Sequence, residues 1–504
     1  MKQIKSFFIR KTTIVFCGVM LHLLVAGIYD VKAINADFTS YEKTICYSLN
    51  MSDSTITFLF DLPTWQTNIG SINISDVVIR GSFNLWKSSS DFTMSYNAEG
   101  FWYLTKKIKD IKQPGNSGQP EFKFYVNGST YMSGTRSFVP EGYIFKNSDK
   151  NHIVIFPDDD FELIKTNSLI ANKIKSITDY DLTNETGKAD VSNFRQVPGG
   201  TKLFRSYHPF KASKATICNT EDERLQLGIE LATAAGIQSD ICLSGNEITT
   251  LTSYTMPDGS KLVESIPPYY QMIIDNDNIL YVGQTSTTPS YSAVYYQSNS
   301  TLFGNWIKEI VQFIISDFHP APFSIHCRLG TDRTGVFCAV LEALQGVPWD
   351  AIAADYQLSN NMGIQEFRDF HLLKYSLENM LGVHDISTVT NLQTYTSNYF
   401  INSGYLTRDE INRLNSKLGT SSSYSTESMP LMPTIHPNPA KDYISIILTN
   451  DHIYYVSILQ LDGRVMLQTT WNNEPISISC LNSGIYLVKI EDGKNTYMTK
   501  LMVK

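Results

Sequence analysis

The sequence has no Cys-x-x-Cys pair, no surplus of basic residues and no long apolar run beyond its N-terminal segment. Each absence excludes something. Seven cysteines without such a pair exclude a zinc ribbon and a dense disulfide framework. Lys and Arg number 41 against 49 Asp and Glu, a net charge of −8, which argues against a dedicated nucleic-acid binder. The missing later run leaves no membrane span in the mature chain. Charge itself is scarce, at 18% of residues, a composition compatible with an extracellular protein. What is present is core material: 42% hydrophobic and 12% aromatic residues in 504, enough for about three domains.

The two ends read as addresses. Residues 1–33 combine a basic front (Lys2, Lys5, Arg10, Lys11), an apolar run from Thr13 to Tyr29 and small residues in Val31-Lys32-Ala33. That is the pattern of a secretory signal peptide, so the mature chain is expected outside the cytoplasm with six cysteines. At the other end, residues 416–433 hold a Ser/Thr-rich tract, Gly419 to Ser428, that reads as a linker. Beyond it, Tyr443–Ile447, Tyr454–Leu459, Ile485–Ile490 and Tyr497–Val503 alternate as strands. Turns at Leu461-Asp462-Gly463-Arg464 and Asp492-Gly493-Lys494 complete a small antiparallel sandwich over 434–504. Within it His436-Pro437-Asn438-Pro439-Ala440, Asp462-Gly463-Arg464-Val465 and Leu481-Asn482-Ser483-Gly484-Ile485-Tyr486 resemble the C-terminal sorting domain of the type IX secretion system of Bacteroidetes. The resemblance implies the type IX machinery as a partner, secretion to the medium or cell surface, and removal of the domain on the way.

The chemistry lies in the middle, at His326-Cys327-Arg328-Leu329-Gly330-Thr331-Asp332-Arg333-Thr334-Gly335. Phe323-Ser324-Ile325 before it is a short apolar strand. Gly335 to Leu344 after it has Val336, Phe337, Val340 and Leu344 at helical spacing, with Gly346 as the stop. A loop between strand and helix N-terminus presents backbone N–H groups and a favourable dipole to an anion. Residues Arg328, Leu329, Gly330, Thr331 and Arg333 are the expected phosphate binders, with Arg333 able to grip two oxygens at once. The same field lowers the pKa of Cys327 below its free value of about 8.5, making it a nucleophile aimed at phosphorus. The expected reaction forms a cysteinyl-phosphate that water then hydrolyses.

This stretch resembles the cysteine-dependent protein tyrosine phosphatases, in their bacterial tyrosine/dual-specificity branch. The resemblance runs from about 190 to 385. It takes in Asn193-Phe194-Arg195-Gln196-Val197-Pro198-Gly199-Gly200, Leu203-Phe204-Arg205-Ser206, Leu341 to Gly346 and Asp355-Tyr356-Gln357-Leu358-Ser359. It implies Cys327 as nucleophile, Arg333 as phosphate binder, His326 ordering the loop and lowering the thiol pKa, and Thr334 assisting the second step. The leaving group also needs a proton. Asp332 is the first choice of acid on the resemblance, with Asp275 and Asp277 as alternatives on a closing loop or as turn formers. Two departures stand out. Thr331 replaces a common Lys, which weakens a phosphoinositide reading. The branch's Asp-Leu-Arg is here Cys242-Leu243-Ser244, so an expected carboxylate behind the loop is missing. Cys218, Cys242 and Cys338 are left either to pair or to pack as small core residues. No metal or cofactor is implied.

The stretch 50–157 reads as strands throughout: Thr55–Phe60, Asp76–Arg80, Phe101–Leu104 and Glu121–Val126, with turns at Asn97–Gly100 and Asn127-Gly128. Val78 to Trp86, Gly100-Phe101-Trp102 and Phe122 to Gly128 resemble glycogen- and starch-binding modules. That implies sugar stacking on Trp86 and hydrogen bonding by Lys123, with Tyr131 in place of a second stacking Trp. The expected architecture is therefore multidomain, an α/β cysteine-phosphatase domain (189–415, after a linker at 158–188) flanked by an N-terminal and a C-terminal β-sandwich. The expected substrate is phosphorylated protein or another phosphomonoester. Two alternatives stay open: a phosphorylated starch- or glycogen-like polysaccharide as substrate, and a glycan-binding surface protein with a vestigial phosphatase domain.

Overall fold

The computed structural model describes residues 38–132, 137–245, 261–262, 266–420, 434–436, 439–447, 454–460, 463–471, 474–491 and 496–504. The signal peptide at 1–33, most of the Ser/Thr linker, Pro437 and Asn438 of the first sorting motif, Asp462 of the second and the Asp492–Lys494 turn lie outside them. The chain divides into two units, 1–174 with 363–372, and 175–362 with 373–504.

In the first unit, two antiparallel sheets face one another across an aromatic core. One runs in the order Tyr47–Asn50, Thr55–Asp61, Phe101–Lys107, Ser95–Tyr96. The other centres on Glu121–Val126, which pairs with Val77–Gly81, Thr130–Met132 and His152–Ile153. Side chains alternate across a strand, so Ile56, Phe58 and Phe60 meet Phe122 and Phe124 in the core. The expected sandwich is there, but its limits are wider than 50–157. A capped helix, Ser40–Ile45, and the strand Tyr47–Asn50 precede residue 50 or end at it. The stretch 158–188, read as a linker, is instead structured. Asp160 caps the helix Phe161–Ala171, and Ile164 and Ala171 of that helix are buried with Phe145, Ile153 and Phe367. Polar residues on its outer face mask this amphipathic helix in sequence.

The second unit holds a sheet in the order Ile279–Tyr281, Ser239–Cys242, Phe323–His326, Leu203–Ser206, Arg195–Gln196. The first four strands are parallel and the last is antiparallel. The central strand, Phe323–His326, is wholly buried, as a parallel strand covered by helices must be. It leads through the loop into the helix Asp332–Leu344, every residue of which from Thr334 onward is buried. Thr301–Ile315 packs an apolar stripe of Phe303, Trp306, Ile307, Ile310 and Ile314 into the same core. The strand and helix anticipated around the loop are both present, the helix beginning three residues earlier than its apolar periodicity indicates.

Residues 434–504 form a second sandwich. One sheet has the order Thr434–His436, Tyr443–Ile447, Ile476–Ser477, and the other Val465–Trp471, Tyr454–Gln460, Gly484–Glu491, Thr496–Val503. Ile444, Val456, Ile458, Trp471, Val488 and Leu501 are among its core residues. Among the described residues every cysteine is free, so Cys218, Cys242 and Cys338 are unpaired and buried. No described helix is long and apolar enough to cross a membrane.

Candidate active site

The loop that follows Phe323–His326 sits at the carboxyl end of the parallel sheet, where an α/β fold leaves its crevice. Successive carbonyls of this loop are tied from outside. His326 Nδ1 lies 3.1 Å from the Cys327 carbonyl oxygen. The His208 N–H donates to the Arg328 carbonyl at 3.2 Å, Asn193 Nδ2 to Leu329 at 3.0 Å and Arg205 Nη2 to Gly330 at 2.7 Å. In a planar trans peptide the C=O and the following N–H point in opposite directions. Pinning these carbonyls outward therefore turns the N–H groups of Arg328, Leu329, Gly330 and Thr331 inward, over Cys327. Such a concavity at a helix N-terminus suits a tetrahedral anion.

The supports come from the motifs that carried the sequence resemblance. Asn193 and Arg195 precede Arg205; all three meet at Ser359, and the two arginines also meet at Asp355. Arg195 Nε and Arg205 Nη1 bond to the two Asp355 oxygens at 2.7 and 2.6 Å, while Arg195 also donates to Asn193. Ser359 donates to Asn193 at 3.1 Å. The two arginine charges hold the Asp355 carboxyl below its ordinary range against the opposing effect of burial. Gly330 has a φ of +72°, and a Cβ there would overlap the Ser206 carbonyl oxygen and the Asn193 amide, so only glycine fits.

Cys327 is 2% exposed, and burial alone would raise its pKa. The Arg333 guanidinium together with the Thr334 hydroxyl and N–H outweighs burial and lowers it. Arg333 is itself oriented, Nη1 donating to the Leu243 carbonyl at 2.8 Å. Asp332 opens the helix, and its carboxylate accepts from Tyr295 Oη at 3.1 Å, which shares a 2.6 Å hydrogen bond with Tyr356 Oη. The structure thus gathers His326, Cys327, Arg328, Leu329, Gly330, Thr331, Asp332, Arg333 and Thr334 in one place. Asp275 and Asp277 are not part of it. They lie at the end of the helix Pro268–Asp275 and just before Ile279–Tyr281, at the amino end of the sheet and opposite the loop.

Two features were not anticipated. The carboxylate missing at position 242 is supplied by Asp240, whose Oδ2 lies 3.0 Å from His326 Nε2. Strand periodicity was the available signal, since residues 240 and 242 share a face. Tyr295, in a tyrosine-rich helix (Tyr291–Tyr296), carried no motif.

On the front sandwich, Arg80 and Lys123 are register partners, and the Lys123 Nζ lies 5.8 Å from the Tyr131 ring centre. The Arg80 guanidinium sits 3.5 Å over the Tyr125 ring and donates to Tyr131 Oη at 2.6 Å. Trp86 is half-buried on the turn after Gly81, at a φ of +58°.

Residues 190–420 match the model of the tyrosine phosphatase family, and residues 434–504 match that of the secretion system C-terminal sorting domain. The chain thus carries a phosphatase domain of that family and a type IX sorting domain that directs secretion and surface attachment. Neither match reaches residues 1–174. No curated protein matches. Among the solved structures that match is one of PorZ, an essential bacterial surface component of the type IX secretion system of Porphyromonas gingivalis, at 21% identity. That match covers 17% of this chain and 13% of that one, with a TM-score of 0.13.

Proposed function

We propose that the protein is a secreted phosphatase that hydrolyses phosphomonoesters, phosphotyrosine in protein or similar esters, through a cysteinyl-phosphate. The observation that carries the reading is the ring of outward-tied carbonyls around a cysteine whose ionisation Arg333 favours. The inward N–H groups and Arg333 bind the phosphoryl oxygens and stabilise the charge that develops on them. The Cys327 thiolate attacks phosphorus, the P–O ester bond breaks, and the departing oxygen takes the proton of Asp332. Water then attacks the phosphocysteine, Asp332 accepts its proton, and the P–S bond breaks to return the thiolate, with the Thr334 hydroxyl beside the sulfur. Tyr295 supports the role of Asp332 by fixing the direction in which its carboxyl faces.

The test is hydrolysis of a generic aryl phosphate at mildly acidic pH, with inhibition by vanadate. Equal rates for the wild type and Cys327→Ser would sink the reading. A second substrate class, phosphorylated starch- or glycogen-like glycan, draws support from the shared face of Lys123, Tyr125 and Tyr131 on the front sandwich. Phosphate release from phosphorylated starch, measured against release from a phosphotyrosine peptide, decides between the two.

A further inference from the structure

The imidazole of His326 has an acceptor against each nitrogen: the Cys327 carbonyl oxygen 3.1 Å from Nδ1 and Asp240 Oδ2 3.0 Å from Nε2. A neutral imidazole carries a single N–H. In that state one of the two contacts would set a lone pair against a lone pair. Both become hydrogen bonds only when the ring carries both protons. We propose that Asp240 is a positioning residue that keeps His326 an imidazolium, and that this buried ion pair holds the phosphate loop in shape beneath Cys327. The inference rests on the cysteine-phosphatase reading of that loop.

Asp240 is placed for the task by register. It lies opposite Ser324, and Cys242 lies opposite His326, so the carboxylate reaches diagonally along one face of the sheet to the histidine. It is fully buried and accepts two further hydrogen bonds, from Tyr270 Oη at 2.6 Å and from the Ser324 hydroxyl. A buried carboxylate with three donors, one of them a cation, is stabilised as an anion, which in turn fixes the cation.

The other groups facing His326 do not replace Asp240. From the same neighbouring strand Cys242 adds a thiol, and Tyr270, on the helix Pro268–Asp275, faces it through Asp240. His208, following Leu203–Ser206, packs edge-on with ring centres 4.8 Å apart. Burial and the charges of His326, Lys211, Arg328 and Arg333 push the His208 pKa well below its ordinary value. For His326 burial acts in the same downward direction, but Asp240 overrides it and raises the pKa well above the ordinary range. Burial thus opposes a charge on both adjacent histidines, and His326 is the one with a carboxylate against its ring.

The experiment has two arms, both on the full chain. In the first, imidazole 15N–1H spectra of histidine-labelled wild type are recorded from pH 5 to 9, with His326 assigned by its loss in His326→Gln. A doubly protonated, pH-invariant His326 is expected. A ring that titrates with an ordinary midpoint of about 6.5 overturns the proposal. In the second arm, Cys327 alkylation by iodoacetate and kcat/KM are followed against pH in Asp240→Asn. The alkylation midpoint is expected to rise by about one pH unit, and kcat/KM to fall at least about tenfold as pH climbs through neutrality. Profiles parallel to wild type overturn the proposal. Should Asp240→Asn fail to fold, the wild-type spectra decide alone. Neither spectra nor alkylation needs turnover, so a wild type without phosphatase activity would refute the functional reading while leaving this one measurable.

Discussion

Cys327 and Arg333 are six positions apart and joined by one loop, so their partnership is written in ten consecutive residues. Asp240 is not, because it lies 86 positions from His326 and only sheet register brings the two together. A carboxylate in a buried strand also hides among apolar neighbours, since burial is the expected fate of the strand and not of the Asp. Asp332, the proposed acid, sits between these cases: its place in the loop is local in sequence, but its hydrogen bond comes from Tyr295 on a separate helix. Asp332→Asn is expected to lower kcat by roughly 10²–10³-fold for a poor leaving group such as phenol, and much less for a p-nitrophenolate that leaves unaided. A loss independent of leaving-group pKa would show that Asp332 is not the acid. Arg333→Lys is expected to cost roughly 10²-fold in kcat/KM and to weaken vanadate inhibition, because a lysine cannot offer two parallel N–H groups.

At the level of the element, the loop around Cys327 is shaped by strands and helices that it does not touch in sequence. Arg195 and Arg205 each depend on Asp355, whose side chain is 4% exposed, and Arg205 in turn holds the Gly330 carbonyl. Asp355→Ala leaves two cations without their anion in a buried site, an expected loss of about 3–5 kcal/mol in unfolding free energy, together with most of the activity. Denaturant titration and steady-state kinetics of one protein sample check both. A stable but inactive variant would mean that the network serves the loop alone. Because the folded pKa of Asp355 lies below its unfolded value, its contribution is present above the ordinary carboxylate range and is lost as the pH falls from there through the depressed folded value. The opening and closing motifs of the domain were readable as motifs. Their convergence on one carboxylate was not, since pairing between distant segments leaves no local period.

Across the whole molecule, the succession of a β-rich front, a mixed centre and a β-rich end was legible in composition and strand spacing, whereas the traffic of the chain between units was not. Nothing in Gly363–Leu372 distinguishes it from its neighbours, yet Phe367 packs on Phe145 with ring centres 5.5 Å apart and is 3% exposed. A fragment starting at Lys175 loses Phe145, Ile153 and Ile164 and uncovers Phe367. It is expected to aggregate or to melt several degrees below the full chain, a defect that Phe367→Ser in the fragment should relieve. Equal melting of fragment and full chain would count against this account. The front unit carries its own pH dependence. His152 is buried against Phe122, and burial, reinforced by the Lys123 charge, holds its pKa down to about 3. A base held neutral in the fold contributes stability that is complete above an unfolded value of about 6.5 and is lost as the pH falls toward about 3. Thermal scans from pH 7 to 3.5 should show the front transition falling more steeply in wild type than in His152→Leu. Parallel slopes would remove His152 as the cause.

The chain leaves the front unit at 174, returns to it at 363 and leaves again at 372. A protease that cuts once at the first crossing therefore does not release the front sandwich, because a strip of the catalytic chain stays clasped within its core. Exported proteins usually obtain such nick resistance from cystine, and here every described cysteine is a free thiol. Non-covalent packing of this strip takes the place of the cross-link, so reducing surroundings that would loosen a disulfide-bonded enzyme leave its seat in the front core untouched.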